Sequence, residues 1–438
     1  MRSWILLAAL PFASAAGQNV AVAPARAIAL DDAVRLAQQN APTTVSARGQ
    51  MRTADMQTRR AYFAYLPNVN LSAGTGRTDG VQFFQGELVP LRGDPWNFTN
   101  GLSANVELFD GFARWNEVRR SRAAQGAAEA NEVVQRYGVA LNVKSQFFNV
   151  LAARESEGAA LTQLAQAEQQ ARSANARVAA GAATKSDSLR AIIEVGNARV
   201  AMLTARNNLN LANAALTRLV GASALVTASP EDTLRQITIA LDSTELLALA
   251  QQAPSVQQSE ADVAAAHAAA RASRGSYWPS LTASYSYNLN TTSQSFQGDN
   301  LLLFGGSNPN SRRLSLNLSL PLFNQWQRET SAVQADVALT NAEAALRDTR
   351  LGAQQTLVQA LGAFRLAQQR IELQLASVTA GEEDLRVQEE RYKLGASTQL
   401  DVLASQTTLN QARLALIQAR YDARTAKAQL EALVGRDL

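Results

Sequence analysis

The segment Arg313 to Phe323 reads RLSLNLSLPLF. Leu314, Leu316, Leu318 and Leu320 take every second position, with Ser315, Asn317 and Ser319 between them. Successive side chains of an extended chain point to opposite faces, so this period of two predicts a strand with one leucine face and one polar face. Yet the rest of the chain is rich in Ala, Gln, Leu, Arg and Glu, which favour helix. Three other segments share the alternation. Val69, Leu71 and Ala73 oppose Asn68, Asn70 and Ser72; Leu102, Ala104, Val106 and Leu108 oppose Ser103, Asn105 and Glu107. Leu281, Ala283, Tyr285, Tyr287 and Leu289 oppose Thr282, Ser284, Ser286 and Asn288. Strands are therefore predicted near 66–77, 98–109, 279–290 and 312–322.

These lengths match the roughly 9–11 residues with which a tilted strand crosses hydrocarbon. A water-soluble sheet with one wet face would carry the same pattern. Aromatic residues cluster at the strand entrances (Tyr62, Phe63, Tyr65, Tyr277, Trp278) and exits (Phe109, Phe112, Trp115, Phe323, Trp326). All these points fall at one end of the sheet, either as an interfacial belt or as a plug at a helix-to-sheet junction. Hydrocarbon leaves no backbone group unsatisfied, so a membrane sheet must close. Four strands cannot close alone, and several copies would have to pool them. Two copies would give a barrel filled by side chains, and three an open lumen lined by the Ser/Asn faces. The links 78–97 and 291–311 are then the outer loops.

The chain is written twice. RVAAGAATKSDSL (177–189) matches RYKLGASTQLDVL (391–403), pairing Gly181 with Gly395, Asp187 with Asp401 and Leu189 with Leu403. Leu219-Val220-Gly221 matches Leu433-Val434-Gly435, and Phe109 of ELFDG matches Phe323 of PLFNQ. The offset is 214 for these pairs (395 less 181, 435 less 221), and it is 212 between Pro67 of YLPNVNLSA (65–73) and Pro279 of YWPSLTASY (277–285). AQQNAP (37–42) likewise resembles AQQAP (250–254). The expected organisation is a signal peptide over 1–16, a first repeat over 17–221, an equatorial linker over 222–240 and a second repeat over 241–438. Each repeat reads helix, strand, loop, strand, long helix, tight turn, long helix. The first helix of each is predicted over 30–64 and 241–276.

From about 112 to 180, and again from 325 to 394, there is no Pro and little Gly. A helix of about 70 residues extends on the order of 100 Å. On the last helix, Leu400, Leu403, Thr407, Asn410, Leu414, Ile417 and Tyr421 follow the alternating three-and-four spacing of a coiled-coil seam. The helices reverse at Gly181-Ala182-Ala183-Thr184 and Gly395-Ala396-Ser397-Thr398. Glycine permits the left-handed end of one helix, and the hydroxyl residue caps the next.

The N-terminal MRSWILLAALPFASAAGQ has a positive start, a short apolar run and small residues at Ala13-Ser14-Ala15, the pattern of a cleaved secretory signal. No later segment holds 18 uncharged apolar residues, so no transmembrane helix is expected. The absence of Cys excludes disulfides, thiolate metal sites and thiol nucleophiles. His267, the one histidine, sits in an alanine run as an ordinary helix residue. A net charge of +4 from 41 basic and 37 acidic residues, with no basic cluster, gives no nucleic-acid surface. No nucleophile elbow, phosphate loop or metal-spaced cluster is present, and GTGR (74–77) is too short to cradle phosphate. Neither an enzyme nor a cofactor is expected.

RYKLGASTQLDVLASQ (391–406), its copy RVAAGAATKSDSL, the PLF and LFDG strand-to-helix junctions and the 214-residue duplication together resemble the TolC-type outer membrane efflux family. The resemblance covers the whole chain beyond the signal. It implies a mainly helical fold: a homotrimer with four strands per chain in one 12-stranded transmembrane β-barrel, and long helical hairpins forming a periplasmic α-barrel. It implies a passive exit duct of a tripartite efflux or type I secretion system, opened by docking to a periplasmic adaptor and an inner-membrane transporter. The tips Gly181, Ala182, Thr184, Gly395, Ala396, Ser397 and Thr398 would meet the adaptor. Asp187, Tyr392 and Asp401 would form the gate, Asp401 as an acidic ring favouring cations. Tyr65, Trp115, Trp278 and Trp326 would lie in the aromatic belt against outer-membrane lipid. Ser397 and Ala404 depart from members that carry Arg and an acidic residue there, so Tyr392 bonded to Asp187 is the expected latch. The competing reading is a soluble periplasmic coiled-coil scaffold or adaptor, which leaves four amphipathic strands without a use.

Overall fold

The computed structural model describes residues 25–77, 79–84, 86–90, 96–181, 183–230, 243–292, 310–436 and 438. The expected signal over 1–16, most of the 291–311 link and the second half of the 222–240 linker lie outside the described residues. The order is β1 (Arg26–Ile28), α1 (Leu30–Asn40), α2 (Pro42–Phe63), β2 (Asn68–Arg77), β3 (Val81–Phe84), β4 (Glu87–Pro90) and β5 (Trp96–Phe109). Then come α3 (Ala113–Ala179), α4 (Lys185–Val220), β6 (Val226–Ala228), α5 (Ser243–Ala250), α6 (Pro254–Ser273) and a 3₁₀ turn to Tyr277. β7 (Ser280–Thr292), β8 (Asn310–Ser319), α7 (Gln327–Lys393) and α8 (Gln399–Val434) complete the chain. It divides into two compact units: the described residues up to 36 with 146–230, and those of 37–145 with 243 onward.

In the first unit β1 pairs in parallel with β6, a contact the sequence did not suggest because both strands have only three residues. Along the distal part of α3, Ala160, Ala167 and Ala174 are buried at intervals of seven; on α4, Ala191, Ala198 and Ala212 keep the same register. A seven-residue repeat of the smallest side chain holds two helices close along their length. Phe147, Val150, Leu151, Leu216 and Val220 form the wider base of this hairpin.

The second unit holds a four-stranded antiparallel sheet in the order β2-β5-β7-β8. Its register puts the expected apolar positions on one face, with Leu108 the exception. Val69 stands opposite Ala104 and Leu71 opposite Leu102. Leu102 stands opposite Tyr287, Ala104 opposite Tyr285 and Val106 opposite Ala283. Tyr285, Ala283 and Leu281 stand opposite Leu314, Leu316 and Leu318. The other face is polar, and on it the Ser284 and Ser315 hydroxyls hydrogen-bond at 2.8 Å. Leu108 departs from the expected alternation. It is the extra residue of a bulge, so Phe109 instead of Leu108 faces Leu281. Leu314, Leu316 and Leu318 are 75, 67 and 69% exposed, so among the described residues nothing covers the β8 side of this face, while Tyr287 and Leu289 of β7 are buried. A β3–β4 hairpin, also unanticipated, occupies part of the 78–97 link.

Two expected helices are each broken in two. The predicted 30–64 helix stops before Pro42, with Ala41 extended at ψ 130°, and the predicted 241–276 helix stops before Pro254, with Ala253 at ψ 147°. Proline disfavours helical geometry in the residue before it, and both breaks sit in the duplicated AQQ(N)AP motif. The seam between α7 and α8 also differs from expectation. α8 buries Val402, Leu409, Leu416, Ala423 and Leu430 at intervals of seven; near its end Ala426, Leu430 and Val434 pack against Leu357, Ala360 and Phe364 of α7, and Leu409 lies against Gly381. Glu382 pairs with Arg413 across the hairpin at 2.7 Å. The Leu400/Leu414 stripe lies on another side of α8, with those two leucines exposed. The helix has two apolar stripes and one chain fills only one.

Strands pass into long helices through paired left-handed residues: Gly111 and Phe112 (φ 65° and 67°) before α3, Gln325 and Trp326 (φ 56° and 64°) before α7. At the first junction Asp110 accepts from the Arg114 backbone N–H at 2.8 Å and its Nε at 2.9 Å. At the second, Arg328 donates to the carbonyls of Pro321 and Leu322. Only Gly111 is enclosed, since a Cβ there would lie 2.3 Å from the Gly275 carbonyl oxygen and 2.7 Å from the Trp278 Cβ. Gly111→Ala therefore adds a clash to left-handed strain and should cost about 2 kcal/mol or more. Gln325→Gly removes strain and should leave stability unchanged or raise it by up to about 1 kcal/mol. Denaturant midpoints in detergent check the order, and a Gly111→Ala protein as stable as wild type would refute the enclosed-junction account.

Candidate functional site

The two hairpin tips are built alike. At the second tip, Gly395 is left-handed at φ 73°. Its N–H donates to the Tyr392 carbonyl at 3.1 Å, and the Ala396 N–H donates to the Arg391 carbonyl at 2.8 Å. These two bonds satisfy carbonyls that the end of α7 leaves open. Arg391 also reaches the Ala396 carbonyl with its guanidinium at 3.3 Å. Thr398 then caps α8. Its hydroxyl accepts from the Asp401 N–H at 3.3 Å, while its own N–H and hydroxyl donate to Asp401 Oδ2 at 2.9 and 2.7 Å. Ser397 adds a third bond to the same oxygen at 3.1 Å, and its hydroxyl also approaches Gln388 Oε1 at 3.2 Å.

At the first tip, Gly181 is left-handed at φ 71°, and its N–H donates to the Val178 carbonyl at 3.0 Å. Thr184 caps α4, its N–H and hydroxyl donating to Asp187 Oδ2 at 3.1 and 2.8 Å and its hydroxyl accepting from the Asp187 N–H at 3.3 Å. Thr-x-x-Asp before a helix is a capping box. Thr184-Lys185-Ser186-Asp187 and Thr398-Gln399-Leu400-Asp401 spell it out, so this role of the two carboxylates was readable from the sequence.

The caps set the charge state. The backbone N–H of Thr398, its hydroxyl and that of Ser397 hold the Asp401 carboxyl below the ordinary carboxylate range. The Thr184 hydroxyl and N–H do the same for Asp187. Both tips therefore present ionised carboxylates at neutral pH, each using Oδ2 in its cap. Around the second tip the exposed pairs Glu383–Arg386 (2.6 Å) and Glu390–Lys393 (2.8 Å) decorate the end of α7.

The structure brings Tyr392, Gly395, Ala396, Ser397, Thr398 and Asp401 together at one tip, in the second unit. Gly181, Thr184 and Asp187 meet at the other tip, in the first unit, and Ala182 lies outside the described residues. Gln388 and Arg391 are tip residues that periodicity does not reveal, because their role is to reach back across a turn. Tyr65, Trp115, Trp278 and Trp326 all fall at the end of the sheet where β2 and β7 begin and β5 and β8 finish, and all four are exposed. Among the described residues no cluster of three or more His, Cys, Asp or Glu could hold a metal, and no helix is long and apolar enough to cross a membrane.

The family model "Outer membrane efflux protein" matches residues 33–222 and again 247–436, two stretches 214 residues apart at both ends. The outer membrane efflux protein BepC of Brucella suis is 24% identical over 407 residues, 92% of this chain and 84% of its own. The pyoverdine export outer membrane protein OpmQ of Pseudomonas aeruginosa is 27% identical over 420 residues, 93% of this chain and 83% of its own. The crystal structure of the outer membrane protein VceC from Vibrio cholerae superposes with a TM-score of 0.75 at 18% identity, covering 93% of this chain and 96% of that one. The chain belongs to the outer membrane efflux protein family. It is an outer-membrane efflux channel and not an enzyme.

The cap geometry predicts how the tip responds to acid. Asp401 titrates lower folded than unfolded, so its contribution is complete above the unfolded value and is lost as pH falls through the folded one. Corrected for intrinsic rates, amide exchange at Thr398–Val402 should accelerate below about pH 4, and Asp401→Asn should abolish that acceleration. An identical pH profile in the Asn variant would show that the cap does not control the tip.

Proposed function

We propose that three copies of this chain form one duct. Their strands make a 12-stranded barrel in the outer membrane, and their hairpins make a helical tunnel in the periplasm. One observation carries this reading: a registered sheet with a bare leucine face and two open edges. Strands alternate in direction from β2 to β8. With four strands per chain, β8 of one copy therefore meets β2 of the next in the antiparallel sense, and the pattern repeats around a ring until it closes. The second apolar stripe of α8, with Leu400 and Leu414 exposed and Asn410 Nδ2 buried without a hydrogen bond, supports a neighbouring helix on that side.

The duct is passive, opened when the tips around Gly181–Thr184 and Gly395–Thr398 engage a periplasmic adaptor coupled to an inner-membrane transporter. The matched lengths of α3 and α7 (67 residues each) and of α4 and α8 (36 each) support descent of both hairpins from one duplicated unit. Asp187, Tyr392 and Asp401 form the gate, Asp401 as a ring of three ionised carboxylates, with Tyr392 bonded to Asp187 in the closed state. Tyr65, Trp115, Trp278 and Trp326 mark the periplasmic boundary of the hydrocarbon. The first sixteen residues direct export. A soluble scaffold would keep a naked leucine face in water, which the sheet's register makes costly.

Protein extracted in detergent should have the mass of a trimer and give discrete conductance steps in planar bilayers. Leu316→Arg, at about 2–4 kcal/mol per lipid-facing arginine, should sharply reduce barrel assembly. Asp187→Ala and Tyr392→Phe should each raise closed-state conductance. A monomer that stays in buffer and is electrically silent would refute the duct; unchanged conductance in both gate variants would refute the latch alone.

A further inference from the structure

We propose that the channel carries a dedicated site for anionic phospholipid headgroups of the inner leaflet, formed by Arg119 and Arg122 beneath the aromatic belt. The inference rests on the membrane placement of the belt above.

Most arginines at this level have carboxylates of their own: Arg59 with Asp55, Arg114 with Asp110, Arg120 with Glu117. Arg60, Arg119 and Arg122 are exposed and have no carboxylate partner among the described residues. Two of them lie on aromatic rings instead, Arg122 5.1 Å above Tyr62 and Arg119 5.2 Å from the centre of Trp115. Both rings are themselves exposed. Stacking holds a guanidinium in place and leaves its N–H edges open to an oxyanion. Trp115 starts α3 just after β5 ends, and Arg119 and Arg122 follow one and two turns further from the sheet. That is the level at which headgroup phosphates lie below an interfacial belt.

The other half of the chain shows what the missing partner would be. Arg122 corresponds to Asp336 at the offset of 214, and Tyr62 corresponds to Arg274 at the offset of 212 that holds upstream of the strands; Arg274 and Asp336 form an ion pair at 3.4 Å. Where the second half joins an arginine to an aspartate, the first half joins Tyr62 to Arg122 and leaves that cation without a carboxylate. The position equivalent to Arg119 is Val333, exposed and apolar. So two unbalanced cations, Arg119 and Arg122, stand three residues apart on one face of α3. In a lipid interface the available counter-charge is a phosphodiester, which an arginine engages through two N–H groups at once. Each arginine near an anionic surface contributes a preference of roughly fivefold.

The test uses the intact protein in neutral detergent, with native mass spectrometry counting bound phosphatidylglycerol against phosphatidylcholine of the same acyl chains. Wild type should prefer phosphatidylglycerol by at least about tenfold. Arg122→Asp, which puts at this position the residue found in the other half, should remove most of that preference while leaving the melting temperature and bilayer conductance unchanged. Arg119→Gln should lower the preference roughly fivefold, and Arg274→Gln should not lower it. Equal binding of the two lipids by wild type, full preference retained in an Arg119→Gln/Arg122→Asp double variant, or binding of lipid A in place of phosphatidylglycerol would overturn the proposal. Loss of conductance in wild type would instead count against the duct.

Discussion

Open backbone edges govern this structure. Among the described residues β2 and β8 each have a strand neighbour on one side only, so each presents an edge of N–H and C=O groups to a further strand. In water such edges are a hazard; in hydrocarbon every unsatisfied group costs several kcal/mol. The leucine face and the open edges make sense only together. A sheet that turned its apolar face inward would not need lipid, and a closed barrel would not need copies. An even number of strands per chain is what lets edge meet edge antiparallel, and it follows from duplicating a two-stranded unit.

That constraint reaches the helices. β5 and β8 run into α3 and α7 through two consecutive left-handed residues each, a turn too tight to leave the direction of the helix free. If strands stand side by side around a ring, the helices that continue them must stand side by side as well. Helices in a ring need two seams, one for each neighbour. The α8 sequence carries both, and the alanines at seven-residue intervals in each hairpin let helices pack closely with little side-chain entropy lost.

What could be read from the sequence depended on how local the physics was. The four strands and their faces were legible because a period of two in a half-buried sheet is enforced at every residue. The long hairpins and their tips were legible because glycine and a capping threonine act within one turn. The breaks at Pro42 and Pro254 were legible in principle, since both prolines stand in the motif used to align the halves. The bulge at Leu108 and the pairing of β1 with β6 were not, because register is decided by the partner strand. The choice of seam on α8 failed for a related reason: two stripes at equivalent spacing cannot be ranked until the neighbour is known. At the tips, Asp187 and Asp401 were singled out for charge, and their part in capping went unread.

The capping bonds bear directly on what a gate at these tips can be. A carboxylate held by a backbone N–H and one or two hydroxyls stays ionised and stays put. Three like charges gathered on one axis repel, and an unrestrained side chain would rotate away or take up a proton. Asp401 can do neither cheaply, because moving or neutralising it undoes the first turn of α8. Its cap uses Oδ2, so Oδ1 remains available to water or a cation. Structural and proposed gating roles would therefore reinforce each other in the same carboxylate: the bonds that build the tip also fix its negative charge in place. Tyr392 stands outside both capping boxes. Tyr392→Phe leaves the bonds of both caps in place, so it probes the proposed latch apart from the capping carboxylates.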